Sequence, residues 1–175
     1  MKCNSTRCQT CPKLSLSKTF QSNITHQTLQ TINHSLENLD CHSQNLIYLL
    51  TCINCNIQYV GETTIPLHKR INSHRTEKTG SEHVINYYKE CCKGYSFKIQ
   101  IIEHFQGTGY IIGKVDPEYR KIRLDREEYW IKKLRTIYRY GLNERVCDIH
   151  TEKPIGLVFP SIPRSRERIV RSLRN

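Results

Sequence analysis

Two pairs of cysteines, Cys8/Cys11 and Cys52/Cys55, each enclose two residues in a chain of 175. That gap lets both thiolates of a tight turn face one tetrahedral ion, the usual arrangement of structural zinc. Each pair needs two further ligands. Cys3 and Cys41 are available to the first, His83 and Cys91 to the second. One unbroken helix would hold His83 and Cys91 about 12 Å apart along its axis, so a helix there must end before Cys91, and Gly94 suits that end. Cys92 and Cys147 are left as free thiols. The competing reading of every one of these residues is a small core hydrophobe, as unligated cysteines often are. Disulfides fit poorly, because the nine cysteines are an odd number and no apolar leader follows Met1.

A single carboxylate stands out as well. The spacing predicts a helix from about Glu118 to Tyr138, with Ile131, Leu134 and Tyr138 on one stripe beside Trp130 and Gly141 as its C-cap. Glu127 precedes Trp130 by three and Ile131 by four, which places it on the apolar face. A buried carboxylate costs several kcal/mol, on the order of ~3–5, unless it is paired. Glu127 therefore either pairs with an arginine or ligates a divalent cation.

The elements that must position these groups lie in residues 45–150. Asn45 to Cys52 reads as a buried strand and Gln58 to Glu62 as a second, joined by a hairpin-sized turn that holds the Cys52/Cys55 pair. Thr63 or Thr64 offers a capping hydroxyl and Pro66 fits a first helical turn. The helix that follows carries Leu67 and Ile71 on one face, Arg70 and His74 on another. Tyr95 to Phe105 alternates Phe97, Ile99 and Ile101 against Lys98 and Gln100, the pattern of a half-buried strand. The expected fold class is α+β, a small three-stranded, mainly antiparallel sheet flanked by helices.

Residues 1–44 are polar and need a metal at Cys3, Cys8, Cys11 and Cys41 to order them. Residues 151–175 form a basic tail, expected to be a flexible arm. A net charge of +11 suits a polyanionic partner. No apolar run approaches the roughly 18 residues of a membrane span. The expected location is nuclear or cytoplasmic rather than secreted.

Taken in order, Leu46-Ile47-Tyr48, a ten-residue gap, Tyr59-Val60-Gly61, helical Arg70 and His74, Glu127 and Gly141-Leu142-Asn143 resemble the GIY-YIG endonuclease family across about residues 45–145. Three features look like the endonuclease domain of Penelope-like retroelements: the cysteine pair between the tripeptides, the downstream His83 and Cys91, and the run Arg126 to Lys132. Residues Leu124 to Glu144, the upstream cysteines and the tail from Gly156 to Arg168 have apparent counterparts too. Leu46 replaces the first Gly and Val60 the second Ile, and Arg139 stands where that type tends to have Pro.

The resemblance implies hydrolysis of a DNA phosphodiester with one divalent cation, Mg²⁺ or Mn²⁺, bound by Glu127. On that reading Arg70 neutralises phosphate oxygens, Tyr48 is the general base, Tyr59 orients the phosphate, and His74 tunes a Tyr or relays a proton. A free Tyr titrates near 10, so the base must be depressed by the metal, Arg70 or His74. Tyr48 as a plain core aromatic and His74 as a solvent-facing helical residue are the bland readings. Gly61 is a structural position. Asn143 either holds the active-site loop or caps a helix end. Lys69, Arg75, Lys132, Lys133 and Arg135 would track the DNA backbone, zinc would stiffen the hairpin, and a reverse transcriptase would act in cis or in trans. The alternatives are an inactive zinc-dependent nucleic-acid-binding module and a zinc-scaffolded protein-interaction domain.

Overall fold

A computed structural model describes residues 3, 5–32, 38–75, 84–87, 97–105, 110–111, 114–115, 117–137 and 140–143. The strands in chain order are β1 (Leu14–Ser15), β2 (Thr19–Gln21), β3 (Thr28–Gln30), β4 (Leu46–Cys52), β5 (Gln58–Thr63), β6 (Phe97–His104), β7 (Tyr110–Ile111) and β8 (Lys114–Val115). Helix α1 spans Leu67–Arg75 and α2 spans Pro117–Leu134. The main sheet is mixed α+β architecture's centre, ordered β1-β6-β4-β5. Pairs β4–β5 and β4–β6 are antiparallel, as expected. The sheet has a fourth strand that the apolar pattern did not announce: β1, from the polar N-terminal segment, lies parallel to β6. Two residues of strand carry too little hydrophobic alternation to be read from sequence.

Each face of the sheet is buried against helix. On one side Tyr48, Leu50, Tyr59 and Ile99 pack with Leu67 and Ile71 of α1. On the other, Ile47, Leu49, Val60 and Ile102 pack with Trp130, Ile131 and Leu134 of α2, and Phe20 of β2 joins them. The antiparallel partner register slips between Ile47 and Tyr48, where β6 accommodates Ile102 as an extra residue. That bulge turns Glu103 to pair with Ile47, so it faces α2 rather than α1. There Arg126 donates to both Glu103 oxygens, at 2.9 and 3.0 Å, and Trp130 Nε1 donates at 2.5 Å. This triad, with Glu103 and Trp130 buried and Arg126 partly exposed, fixes the rotation of α2 about its own axis.

Two helix ends differ from expectation. The α1 N-terminus is not capped by a Thr63 or Thr64 hydroxyl: Thr63 Oγ1 instead closes a local turn with Ile65. The free Leu67 and His68 N–H groups donate to the backbone carbonyls of Ser43 and Cys41, at 3.0 and 2.8 Å. The α2 helix ends at Leu134, not near Tyr138, with Arg135 in the left-handed region at φ 55°. Thr136 N–H then reaches Ile131 O at 3.1 Å, a Schellman-type closure in which Arg takes the place usually held by Gly. Gly141, expected there, instead lets the chain pass over Thr136: a Cβ on it would lie 2.5 Å from the Thr136 carbonyl carbon. No helix among the described residues is long and apolar enough to cross a membrane.

Candidate active site

Strand β5 lies at the edge of the sheet, so alternate backbone groups have no strand partner on its outer side. Two side chains take them. Asn143 Oδ1 accepts from Val60 N–H at 2.9 Å, and its Nδ2 donates to Val60 O at 2.7 Å. One turn of pleat along, Glu62 N–H donates to Glu127 Oε1 at 3.0 Å. Glu127 thus reaches from α2 around the open edge of β5. Asn143 is an edge clasp rather than the cap of a helix end.

Between those two positions Gly61 faces α1, opposite Tyr48 in the β4–β5 register. The Tyr48 ring lies directly over it. A Cβ on Gly61 would sit 2.5 Å from Tyr48 Cζ and 2.8 Å from Tyr59 Cε1. The absent side chain lets the Tyr48 hydroxyl reach the groups of α1. Arg70 Nε donates to that hydroxyl at 3.2 Å, and the hydroxyl is 2.6 Å from His74 Nε2. Arginine offers donors alone, so Tyr48 accepts from Arg70, and the direction of its bond to His74 follows the imidazole tautomer. His74 Nδ1 is buried with no partner among the described residues. Tyr59 completes an aromatic triangle, its ring centroid 6.3 Å from Tyr48 and 5.4 Å from His74.

The electrostatics run against the simplest expectation for Tyr48. Burial, then Tyr59, pushes its phenol well above the ordinary tyrosine value, and Arg70 only partly offsets this. Burial and Arg70 hold His74 down to about 3, so it stands neutral. His74 is fully buried, not solvent-facing. Burial and the neighbouring Glu62 carboxylate push Glu127 up to about 7 against the pull of the Glu62 amide and Arg70. Arg70 stays charged: burial opposes this, but Tyr48, Tyr59 and Glu62 raise it further. The expected arginine partner of a buried acid is found elsewhere. Arg123, only 3% exposed, bonds Glu62 at 3.2 Å, and Arg126 bonds Glu103. Glu62, Arg123 and Glu103 did not stand out in the sequence. The readable signal was acids at inward-facing positions, Glu62 two residues after Val60 and Glu103 beside Ile102.

The cysteines divide in two. Cys3, Cys8, Cys11 and Cys41 converge, with Sγ atoms 3.7 Å apart for Cys8/Cys41 and 3.5 Å for Cys3/Cys11. Zinc at ~2.3 Å from each sulfur of a tetrahedron spaces them about 3.8 Å apart, so the donor set fits zinc. Burial opposes it, but the Cys11 and Thr10 amides bring the Cys8 thiol down to about 7, while burial and the neighbouring thiols push Cys41 up. Cys52 and Cys55 are close together, and Cys55 Sγ touches the Tyr87 hydroxyl. His83 and Cys91, expected as their co-ligands, lie outside the described residues, as does the basic tail.

Of the cations expected along DNA, Lys69 is exposed beside Arg70, while Arg75 donates to Gln9 and Asn72 at 2.9 and 3.0 Å. Lys132 pairs with Glu128 at 2.6 Å, and with Lys133 and Arg135 it marks the C-terminal end of α2. A cleft of about 590 Å³ opens away from Tyr48 and Glu127, between the cysteine cluster and the His68, Asn72 and Arg75 flank of α1.

The GIY-YIG catalytic domain model matches residues 44–141, more than half of the chain. The chain belongs to the GIY-YIG family. Members of this family are nucleases, and the matched span begins just before β4 and ends at Gly141, so it contains Tyr48, Tyr59, Arg70, His74 and Glu127. No curated protein and no solved structure matches the chain.

Proposed function

We propose that this GIY-YIG domain is a divalent-metal-dependent DNA endonuclease that hydrolyses a phosphodiester bond, and that it derives from a Penelope-like retroelement. The observation that carries the activity is the meeting, around the bare backbone of Gly61, of the Arg70–Tyr48–His74 chain from one face of the sheet with Glu127 from the other. The retroelement origin rests on the Cys52/Cys55 pair between the tripeptides and the run Arg126 to Lys132. A reverse transcriptase partner belongs to that second reading.

Glu127 offers the hard carboxylate oxygen that Mg²⁺ or Mn²⁺ prefers. A cation bound there supplies positive charge for the phosphate and polarises water. The protein's own groups do the rest. Arg70 faces the non-bridging oxygens while holding Tyr48. Tyr48 oxygen takes the proton of the attacking water as its own proton passes to His74 Nε2; the new P–O bond forms as the bond to the 3′ oxygen breaks, and that oxygen leaves with the bonding pair and takes a proton from solvent. In the free enzyme the raised phenol and the lowered imidazole keep this pair neutral. The negative charge that gathers on the phosphate oxygens favours the imidazolium only during reaction. Tyr59 orients the phosphate. The Cys3/Cys8/Cys11/Cys41 cluster holds structural zinc.

A plasmid-nicking assay tests the activity. Wild type nicks with Mg²⁺; Tyr48→Phe loses on the order of 10²–10⁴-fold, the range for a general base, and Glu127→Ala, which removes the cation's ligand, loses at least as much. Equal nicking by wild type and Glu127→Ala overturns it. Tight DNA binding with no nicking by any of the proteins leaves a nucleic-acid-binding module in its place.

A further inference from the structure

We propose that Glu62 is a second carboxylate of the cation site, acting on the metal through bound water beside Glu127. The inference rests on the nuclease reading for the existence of a cation, and adds a residue to it.

Three observations carry it. Glu62 follows Gly61 directly, and its N–H holds Glu127 Oε1, so the backbone of one acid orients the carboxylate of the other. Its carboxylate lies close enough to act on both Glu127 and Arg70. Finally, Arg123 bonds only Oε2 of Glu62, at 3.2 Å, and no partner is found for Oε1 among the described residues. The Glu62 side chain keeps 27% of its surface exposed against 4% for Arg123. One oxygen is therefore pinned by Arg123, and the other has no partner among the described residues.

Arg123 pairs with Glu62 and Arg70 lies near both acids, yet the Glu62 charge still pushes Glu127 up, as like charges at short range do. A divalent cation relieves that repulsion. Mg²⁺ sheds water reluctantly and is commonly held by one or two carboxylates with several waters retained, which suits one direct and one water-mediated acid. Arg123 then acts as a positioning residue: it fixes the Glu62 rotamer from beneath, as outer partners of metal ligands do.

The test measures cation binding apart from turnover, by Mn²⁺ titration of the zinc-loaded full chain followed by electron paramagnetic resonance. Wild type binds one Mn²⁺ that Glu127→Gln loses. Glu62→Gln keeps the backbone N–H and the shape of the side chain, and weakens that site on the order of 10–100-fold, the effect of losing an outer-shell partner. Glu62→Asp recovers part of the affinity. A paired variant, Glu62→Gln with Arg123→Gln, avoids a buried unpaired guanidinium and shows the same weakening. Affinity within twofold of wild type in both Gln variants overturns the role of Glu62 while Glu127 keeps its own. Unchanged binding in Glu127→Gln overturns the cation site itself.

Discussion

Tyr48 and Gly61 face each other across β4 and β5, and the phenol occupies the space that any side chain on Gly61 would need. The glycine is required here by close approach of a ring, not by an unusual backbone angle. Gly61→Ala forces Tyr48 and Tyr59 to move. Overpacking of this kind costs about 1–3 kcal/mol. Nicking is expected to fall further than stability, because displacement of the hydroxyl by ~1 Å breaks its bonds to Arg70 and His74. Urea unfolding beside single-turnover nicking checks this: near-wild-type nicking in a folded Gly61→Ala protein contradicts it.

Asn143 satisfies both polar groups of the Val60 peptide at 5% exposure, at the end of a chain segment that also docks Leu142 N–H on Gln58 O. Asn143→Ala leaves a donor and an acceptor buried and unpaired, each worth about 1–3 kcal/mol. A midpoint shift in urea equivalent to about 2–4 kcal/mol is expected. Asn143→Asp keeps the acceptor and loses the donor, so it falls between the two. A shift below about 0.5 kcal/mol for the alanine variant means that water replaces the amide.

The order of β4, β5, α1, β6 and α2 was legible from an apolar run in β4, alternation in β6, Pro66 with Leu67 and Ile71 in α1, and the apolar stripe of α2, which Glu127 interrupts. Arg70 and His74 shared a helical face four residues apart, and the geometry joins both to Tyr48. What stayed hidden depends on long-range partners. The capping of α1 by the carbonyls of Cys41 and Ser43 needs no particular side chain at those positions. Likewise, the left-handed Arg135 carries none of the glycine signature of a helix end. The bulge that turns Glu103 toward Arg126 and Trp130 leaves only an apolar pair, Ile101 and Ile102, in the sequence.

Buried His74 and partly buried Glu127 predict opposed pH dependences of stability without Mg²⁺. His74 is held down to about 3, so the unfolded chain binds its proton first. That contribution is complete above about 6.5 and is lost as pH falls toward 3. Glu127 is raised to about 7, so the folded chain keeps its proton longer. Its contribution is complete below about 4.5 and is lost as pH rises through 7. Between about 4.5 and 6.5 the slopes cancel in part. Denaturation of Glu127→Gln across this window is expected to reveal stability rising with pH, and His74→Gln stability falling. Identical profiles for both variants and wild type defeat the argument.

Because Glu127 binds a proton near neutrality, cation and proton compete for it. The Mg²⁺ concentration that gives half-maximal nicking is expected to climb about tenfold for each pH unit below 7, the limit for one displaced proton. Above about pH 8 it flattens. Mg²⁺ titrations of nicking rate from pH 5.5 to 8.5 measure this, and a requirement that does not change with pH places the activating ion away from Glu127.

Zinc at the cysteine cluster is expected to govern the nuclease centre through α1. Cys41 supplies a sulfur to the cluster and, through its carbonyl, accepts from both the His68 N–H at 2.8 Å and His68 Nδ1 at 2.9 Å. The same short segment accepts the Leu67 N–H at Ser43. Removal of the ion frees Cys41 and uncaps the first turn of a nine-residue helix, too short to hold together alone. That helix carries Arg70 and His74. Cys8→Ser, or extraction of zinc with a chelator, should therefore lower the melting temperature and reduce nicking together, and added Zn²⁺ should restore both to the chelated wild type but not to Cys8→Ser. Arg70→Ala serves as the contrast, because it loses nicking with the melting temperature largely kept. A zinc-free chain that melts and nicks like wild type severs the cluster from the active site.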